Sequence, residues 1–450
     1  MKESIFNKLL PFLSVSVLLM VGCTQGAIEP ELKTPLVVMV VFLSFVVIFT
    51  KPILGVYVAT AISATFSPPI HVGFANLYFH QWIILTAFLA SISSGLILGN
   101  LHAKLKSEVN VPMMVFIGSL LLSMGHAPNM LIGIKSFLYI GVLIASYYLV
   151  LLSVNGEHQV RIFVGLLVAV TSLICSISLS FHTSGRLGSV GVAGAFGLGN
   201  PNSFGNFLAL VIPLCISLLF YGGISGKTRL ILVVSFTLLV VSLGFTFSRS
   251  AWIGVLVGIL SLSVLRPRKL LFLLLCGIIG AVFLVSPIHK RTFEDISDPG
   301  AQYRLVKAKI AYAKFKEHPI LGNGLGSFHY EAQFSNVWAY RAHSTLENNY
   351  LLMLAEGGII EFLAFVYLMV IFGKKVITLL KRVREPFLYA TLLGCVASVI
   401  STLAAGMFED TLFFPKNNWL IGMLMGIAIV VGRIERESLT VPEGIVEESE

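Results

Sequence analysis

Leu230-Ile-Leu-Val-Val-Ser-Phe-Thr-Leu-Leu-Val-Val-Ser-Leu-Gly-Phe-Thr-Phe247 contains no charged side chain, with Lys227 and Arg229 just before it and Arg249 just after it. A helix that crosses the hydrocarbon core needs roughly 20 apolar residues. Other apolar runs lie at about 9–27, 34–50, 52–67, 81–99, 111–125, 129–153, 161–181, 204–222, 250–265, 269–286, 344–372, 387–407 and 417–432. The chain as a whole agrees: of 450 residues, 56% are hydrophobic and 12% charged, with mean hydropathy +0.90. Soluble domains carry about 25% charged residues. The expectation is an all-α polytopic membrane protein of 12–14 transmembrane helices. A soluble multidomain reading of the length is excluded, because only lipid can solvate so much apolar surface.

Net charge is +9, which in a soluble protein would suggest nucleic acid. Here the positive-inside rule accounts for it. With the N-terminus inside and the spans alternating, 18 of 31 basic residues fall on the inner side, including Lys104, Arg161, Lys227, Lys375, Arg384 and Arg433. Eight of the others (Lys290, Arg291, Arg304, Lys307, Lys309, Lys314, Lys316 and Arg341) lie in the single long segment 287–343. The expected organisation is a helix bundle over 1–286, an exported loop 287–343, spans over 344–432 and an acidic cytoplasmic tail 433–450. Cys23, Cys175, Cys215, Cys276 and Cys395 all fall in apolar runs and read as small packing residues. Met20-Val21-Gly22-Cys23 loosely resembles a lipoprotein cleavage site, but the spans that follow favour a first transmembrane helix.

Two exported regions interrupt the apolar pattern. The first, 182–203, contains Arg186 and ends in Gly199-Asn-Pro-Asn202-Ser-Phe-Gly205. It is either a flexible loop or a cavity-lining element, since so much glycine opposes a continuous helix. In the second, Asp298-Pro-Gly signals a helix start and His318-Pro319 an end. Between them Tyr303, Val306, Ile310 and Ala313 share one face, with Arg304, Lys307 and Lys314 beside it. Such a helix lies on headgroups or lines a phosphate site. Gly322-Asn-Gly-Leu-Gly326 follows as a compact turn.

The chain has three aspartates and no Asp-x-Asp pair, Walker loop, HExxH or CxxC. A nucleotide-sugar, ATP or metal site therefore has no support from motifs. What remains is arginine and a polar cluster. Arg249 is either a snorkelling anchor with Trp252 or a bidentate anion clamp, and Arg304 lies on the same side. His343 and Glu347 are four apart and share a face on a helix, an arrangement suited to a base near neutral pH. Arg341 and Asn348 flank them. Glu356, inside the following apolar run, is a carboxylate that either serves the site or pairs within the bundle.

In order along the chain these segments resemble the O-antigen ligase/polymerase superfamily of bacterial membrane glycosyltransferases. Gly199-Asn-Pro-Asn-Ser-Phe-Gly205 resembles its Asn-Pro-Asn segment, and Ser248-Arg249-Ser-Ala-Trp252 its Ser-Arg-Gly-Ala element. Arg304 with Pro319-Ile-Leu-Gly322-Asn-Gly324-Leu-Gly326-Ser-Phe328 resembles its Arg and Gly-rich loop, and His343 through Glu356-Gly-Gly its loop end. The resemblance covers residues 182–372. It implies a GT-C-like fold in the bacterial inner membrane, with cytoplasmic termini and a periplasmic loop 287–343 containing short amphipathic helices. The implied activity is metal- and cofactor-independent transfer of glycan from an undecaprenyl-pyrophosphate-linked oligosaccharide to a glycan or lipid-core acceptor. Arg249 and Arg304 would bind the pyrophosphate and the loop-end His would deprotonate the acceptor. In many relatives the His stands nine residues before the acidic residue, a position Glu347 holds here, so His343 and Glu347 are both candidates for the base. Arg186, Asn202, Arg341 and Glu356 are further candidates. The competing class is a carrier of lipid-linked glycan, expected to have inverted repeats and charges deep in several spans. Such charges are few, chiefly Lys135 and those from Glu356 to Glu361.

Overall fold

The computed structural model describes residues 48–63, 69–72, 75–183, 200–265, 277, 299–337, 345–413 and 417–440. The runs at 9–27 and 269–286, and 34–50 up to residue 47, lie outside the described residues. Each of the other eleven runs coincides with a helix.

In chain order the helices are α1 (Pro52–Ser63), α2 (Phe79–Ile97), α3 (Leu101–Leu105), α4 (Asn110–Gly125), α5 (Met130–Ser153), α6 (Glu157–Thr183), α7 (Pro201–Tyr221) and α8 (Gly226–Thr246). They continue as α9 (Arg249–Leu265), α10 (Pro299–Glu317), α11 (Ser327–Ala332), α12 (Asn349–Leu380), α13 (Pro386–Ala405) and α14 (Asn418–Thr440). Strands β1 (Pro69–Val72) and β2 (Ala75–Tyr78) pair antiparallel, with Pro69 opposite Tyr78. Among the described residues, eight helices are long and apolar enough to cross a membrane: α2, α5, α6, α7, α8, α12, α13 and α14. The protein is a polytopic membrane protein. Helix α14 continues to Thr440, beyond the run at 417–432 and into the expected tail.

Lipid is as apolar as leucine, so membrane helices gain from close backbone approach rather than from hiding apolar surface. α14 meets α5 through Gly422 and Gly426, where an added Cβ would lie 2.0 Å from Leu143 O and 2.9 Å from Tyr147 O. α9 meets α13 in the same way, through Gly254 and Gly258. The core runs along these contacts and is mostly aliphatic, with aromatic side chains such as Tyr147, Phe207 and Trp419 among them.

Charges collect at the two ends. At one end, Arg433 donates to Leu151 O (3.0 Å) and Lys104 to Leu152 O (2.9 Å). Arg161 pairs with Glu385 (3.1 Å) and cation–π stacks on Phe387, and Lys375 pairs with Glu108. These are basic residues the charge pattern assigns to a single side. The opposite end carries α10, α11 and the start of α12.

A candidate active site at the loop end of the bundle

The site is assembled by the start of α12. Asn348 caps this helix, its Oδ1 accepting from the N–H groups of Tyr350 (3.0 Å) and Leu351 (2.9 Å), two donors a helix start otherwise leaves unpaired. Its own amide donates to Met407 O (2.8 Å). Asn349, fully buried, donates to Thr411 Oγ1 (2.8 Å) and accepts from Leu412 N (3.2 Å). The two asparagines thus fasten α12 to the turn after α13, the turn that carries Glu409 and Asp410.

A second junction brings in α10. Helix α12 breaks at Gly358, whose φ of 65° and ψ of −162° suit only glycine. The segment after α10 docks into the break. Ile359 N donates to Pro319 O (2.9 Å), Ile360 N to Ile320 O (3.4 Å), Asn323 N to Ala355 O (3.0 Å) and Gly324 N to Glu356 O (2.8 Å). Gly322, Gly324 and Gly326 all have positive φ. A Cβ at Gly322 would stand 2.2 Å from Glu356 O. Glu356 completes the junction: its carboxylate accepts from Gly326 N (2.8 Å) and Phe328 N (3.1 Å) at the start of α11. Of the two roles open to Glu356 in the sequence, the structure gives it the one within the bundle.

Docked this way, α10 turns its basic edge inward. Lys307 and Ala311 are each 1% exposed, whereas Ala313 is exposed. The apolar face read from Tyr303, Val306, Ile310 and Ala313 is therefore not the buried one. The wall it meets is polar: Lys307 Nζ donates to Thr345 O (2.7 Å) and lies 3.6 Å from Glu347 Oε2. Arg304 Nε donates to the same Oε2 at 2.6 Å, and Arg304 Nη2 lies 3.8 Å from Glu409 Oε1. Asn202 Nδ2 donates to Glu409 Oε1 (2.7 Å), and Asp410 Oδ1 accepts from Asn348 N (3.0 Å).

The Asn-Pro-Asn segment divides its labour. Asn200 caps α7 by accepting from Asn202 N (2.9 Å), Pro201 takes the first helical position, and Asn202 reaches Glu409. One turn on, Gly205 lets the turn between α8 and α9 approach; a Cβ there would lie 3.0 Å from Ser248 Cβ. Arg249 follows Ser248 as the half-buried first residue of α9. Trp252 donates from Nε1 to Leu243 O (3.0 Å).

The structure therefore brings Asn202, Arg304 and Glu347 together and sets Arg249 on the neighbouring helix. Arg186, Arg341 and His343 lie outside the described residues. Glu347 does not sit on a helix: it precedes the cap of α12 with φ 61°. Three residues of the cluster, Lys307, Glu409 and Asp410, were not singled out by motif. Glu409-Asp410 could have been, as an acidic pair in a short stretch between two apolar runs of a charge-poor chain.

Burial dominates the electrostatics. It pushes the Glu409 carboxyl up to about 8, with the Glu347 charge adding and Arg304 opposing. It raises Asp410 to about 6 against the backbone N–H groups of Glu347 and Asn348. It lowers Lys307, while Glu347 and Asp410 oppose. Two cations beside carboxyls of unequal proton affinity can stabilise a developing anion and move a proton near neutral pH. Among the described residues, no group of three or more His, Cys, Asp or Glu is arranged to hold a metal ion.

Fold and site define a polytopic membrane protein with a mixed-charge side-chain cluster at one end of its bundle. The sequence model of the O-antigen ligase family matches residues 234–366, from α8 into α12, and this supports membership of the O-antigen ligase/polymerase superfamily. No curated protein matches the chain. The match supports a function of O-antigen ligase/polymerase type in general, which implies a lipid-linked glycan donor and an acceptor.

Proposed function

We propose that the protein transfers glycan from an undecaprenyl-pyrophosphate-linked oligosaccharide to an acceptor hydroxyl on the periplasmic face of the bacterial inner membrane, without metal or nucleotide. The acceptor is either a lipid core, as in a ligase, or another repeat unit, as in a polymerase. The observation that carries this reading is the convergence of Arg304 and Lys307 from α10 with Asn202 from α7 on Glu347 and Glu409 at one bundle end. Pyrophosphate is already a good leaving group, so positive charge at its oxygens and one base suffice. Arg304, with Arg249 at the start of α9, would supply that charge. His343 and Glu347 are the motif-derived candidates for the base. The charge asymmetry supports cytoplasmic termini and a periplasmic segment 287–343.

Donor binding tests this. Undecaprenyl pyrophosphate titrated onto the protein in nanodiscs should raise its apparent unfolding temperature. Arg304→Ala and Arg249→Ala should each weaken binding about tenfold or more, the loss of one charge-assisted contact. Equal binding of undecaprenol, which lacks phosphate, would contradict the assignment of a pyrophosphate site.

A further inference from the structure

The three carboxyls of the cluster are not equivalent. Glu347 Oε2 is held between two cations, Arg304 Nε at 2.6 Å and Lys307 Nζ at 3.6 Å. That oxygen is thus taken up by ion pairing and is not offered to a ligand. Asp410 is tied to the backbone through Asn348 N. Glu409 is engaged on one oxygen only. Its Oε1 accepts from Asn202 Nδ2 at 2.7 Å, and the Arg304 guanidinium at 3.8 Å is beyond hydrogen-bond reach. Among the described residues its Oε2 has no hydrogen-bond partner, and the side chain keeps 15% of its surface open. An oriented carboxyl with one free, reachable oxygen has the geometry of a proton acceptor.

The surroundings extend this polarity inward. Asn206 lies one turn below Asn202 on the same face of α7 and is 8% exposed, and its Oδ1 has no partner among the described residues. Asn417 donates to Ser203 O (2.8 Å), also on α7, and its Oδ1 is likewise buried and unpartnered. Buried acceptors without donors are costly. They suit a ligand or water that brings hydroxyl groups, as a sugar acceptor does.

We propose that Glu409 is the general base of the transfer, with Asn202 and Glu347 as positioning residues. The proposal rests on the glycan-transfer reading above. In the step, Glu409 Oε2 takes the proton of the acceptor hydroxyl, and the acceptor oxygen bonds to the anomeric carbon of the donor sugar. The bond from that carbon to the pyrophosphate oxygen breaks, and its electron pair leaves on that oxygen beside Arg304. The proton passes from Glu409 to solvent or to the departing pyrophosphate, so no other reactant is needed. Among the described residues, the charged groups facing Glu409 are Arg304 and Lys307 from α10, Glu347 before α12 and Asp410 beside it in the turn. Together with burial they set its proton affinity near neutral pH, where a general base is most effective.

The test is a pH–rate profile. The protein is reconstituted in phosphatidylethanolamine–phosphatidylglycerol vesicles with a synthetic undecaprenyl-pyrophosphate oligosaccharide, alone and with lipid A–core. Wild-type transfer should climb nearly tenfold per pH unit below a limb close to pH 8. Glu409→Gln should lower kcat about 100-fold or more, leave the donor KM within about threefold, and abolish the limb. Glu409→Asp, which keeps a carboxylate and guards against misfolding, should retain part of the rate and a limb. Glu347→Gln should keep a limb but move it to lower pH, because it removes a repelling charge and frees Arg304; a merely structural residue would not shift it. Transfer by Glu409→Gln with the limb intact would overturn this inference alone. Loss of the limb in His343→Ala but not in Glu409→Gln would do the same and assign the base to His343. No transfer by wild type at any pH, with either acceptor, would overturn the transferase reading and this inference with it.

Discussion

The break in α12 is where the loop is fastened to the bundle, so Gly358→Ala is the most informative structural perturbation. An alanine would hold φ 65°, ψ −162°, a region that costs about 1–3 kcal/mol without glycine. Its Cβ would also stand 2.4 Å from Ile320 O, a backbone atom that cannot swing aside. The docked segment must retreat. Four backbone hydrogen bonds join Pro319, Ile320, Asn323 and Gly324 to α12, each worth about 1 kcal/mol net. Losing half of them and taking the strain gives about 3–5 kcal/mol. Gly373→Ala on the same helix is the control. Its Cβ meets nothing within 4 Å, and alanine is favoured over glycine in a helix interior by about 0.5–1 kcal/mol. Apparent stability in nanodiscs, read by thermal unfolding, should drop for Gly358→Ala and hold or rise for Gly373→Ala. Limited proteolysis should open a new cut near residues 318–326 in Gly358→Ala alone. If the two variants behave alike, the docking geometry does not hold α10 in place and the reasoning fails.

Glu356→Ala should destabilise the protein by about 2–5 kcal/mol, since it strands the buried N–H groups of Gly326 and Phe328; Glu356→Gln, which keeps one acceptor, should lose less in the same assay. Asn349→Ala should loosen the turn 406–412 by removing its bonds to Thr411 and Leu412, seen as faster amide exchange there. Stability should also depend on pH through Glu409. Its folded proton affinity, about 8, exceeds the ordinary 4.5, so the folded state binds more protons between those values. Stability therefore falls as pH rises through that window, and a melting series from pH 5 to 8 should show a slope that Glu409→Gln flattens. Lys307→Met should weaken donor binding and leave Glu347, among the described residues, with Arg304 as its pairing cation, measured as a rise in donor KM.

The membrane architecture is legible in the sequence because apolar length alone decides it. Every described run folds as a helix, and Asp298-Pro-Gly and His318-Pro319 bracket α10 as turn chemistry requires. Of the motif residues, Asn202, Arg304 and Glu347 meet although more than 140 residues separate the first from the last. What was not legible depends on docking. Periodicity placed the apolar face of α10 one way. The partner surface, made by Thr345 and Glu347, turns Lys307 inward instead, because a half-buried carboxylate attracts a cation more than a methyl group does. Glu347 read as helical by spacing, but the cap belongs to Asn348, and the residue before a cap is free to leave the helix. Glu409 and Asp410 carry no motif; only the asparagine pair at 348–349, which ties α12 to the turn after α13, brings them to the cluster.

The most direct test of the central claim is the fate of the donor. Wild type and Arg304→Ala are given a radiolabelled undecaprenyl-pyrophosphate oligosaccharide in sealed vesicles containing EDTA, with and without lipid A–core. The account predicts that wild type releases undecaprenyl pyrophosphate and yields either a longer glycan or a glycosylated core, and that Arg304→Ala does neither. Donor that crosses the bilayer and is recovered intact would contradict the account and make the protein a carrier of lipid-linked glycan.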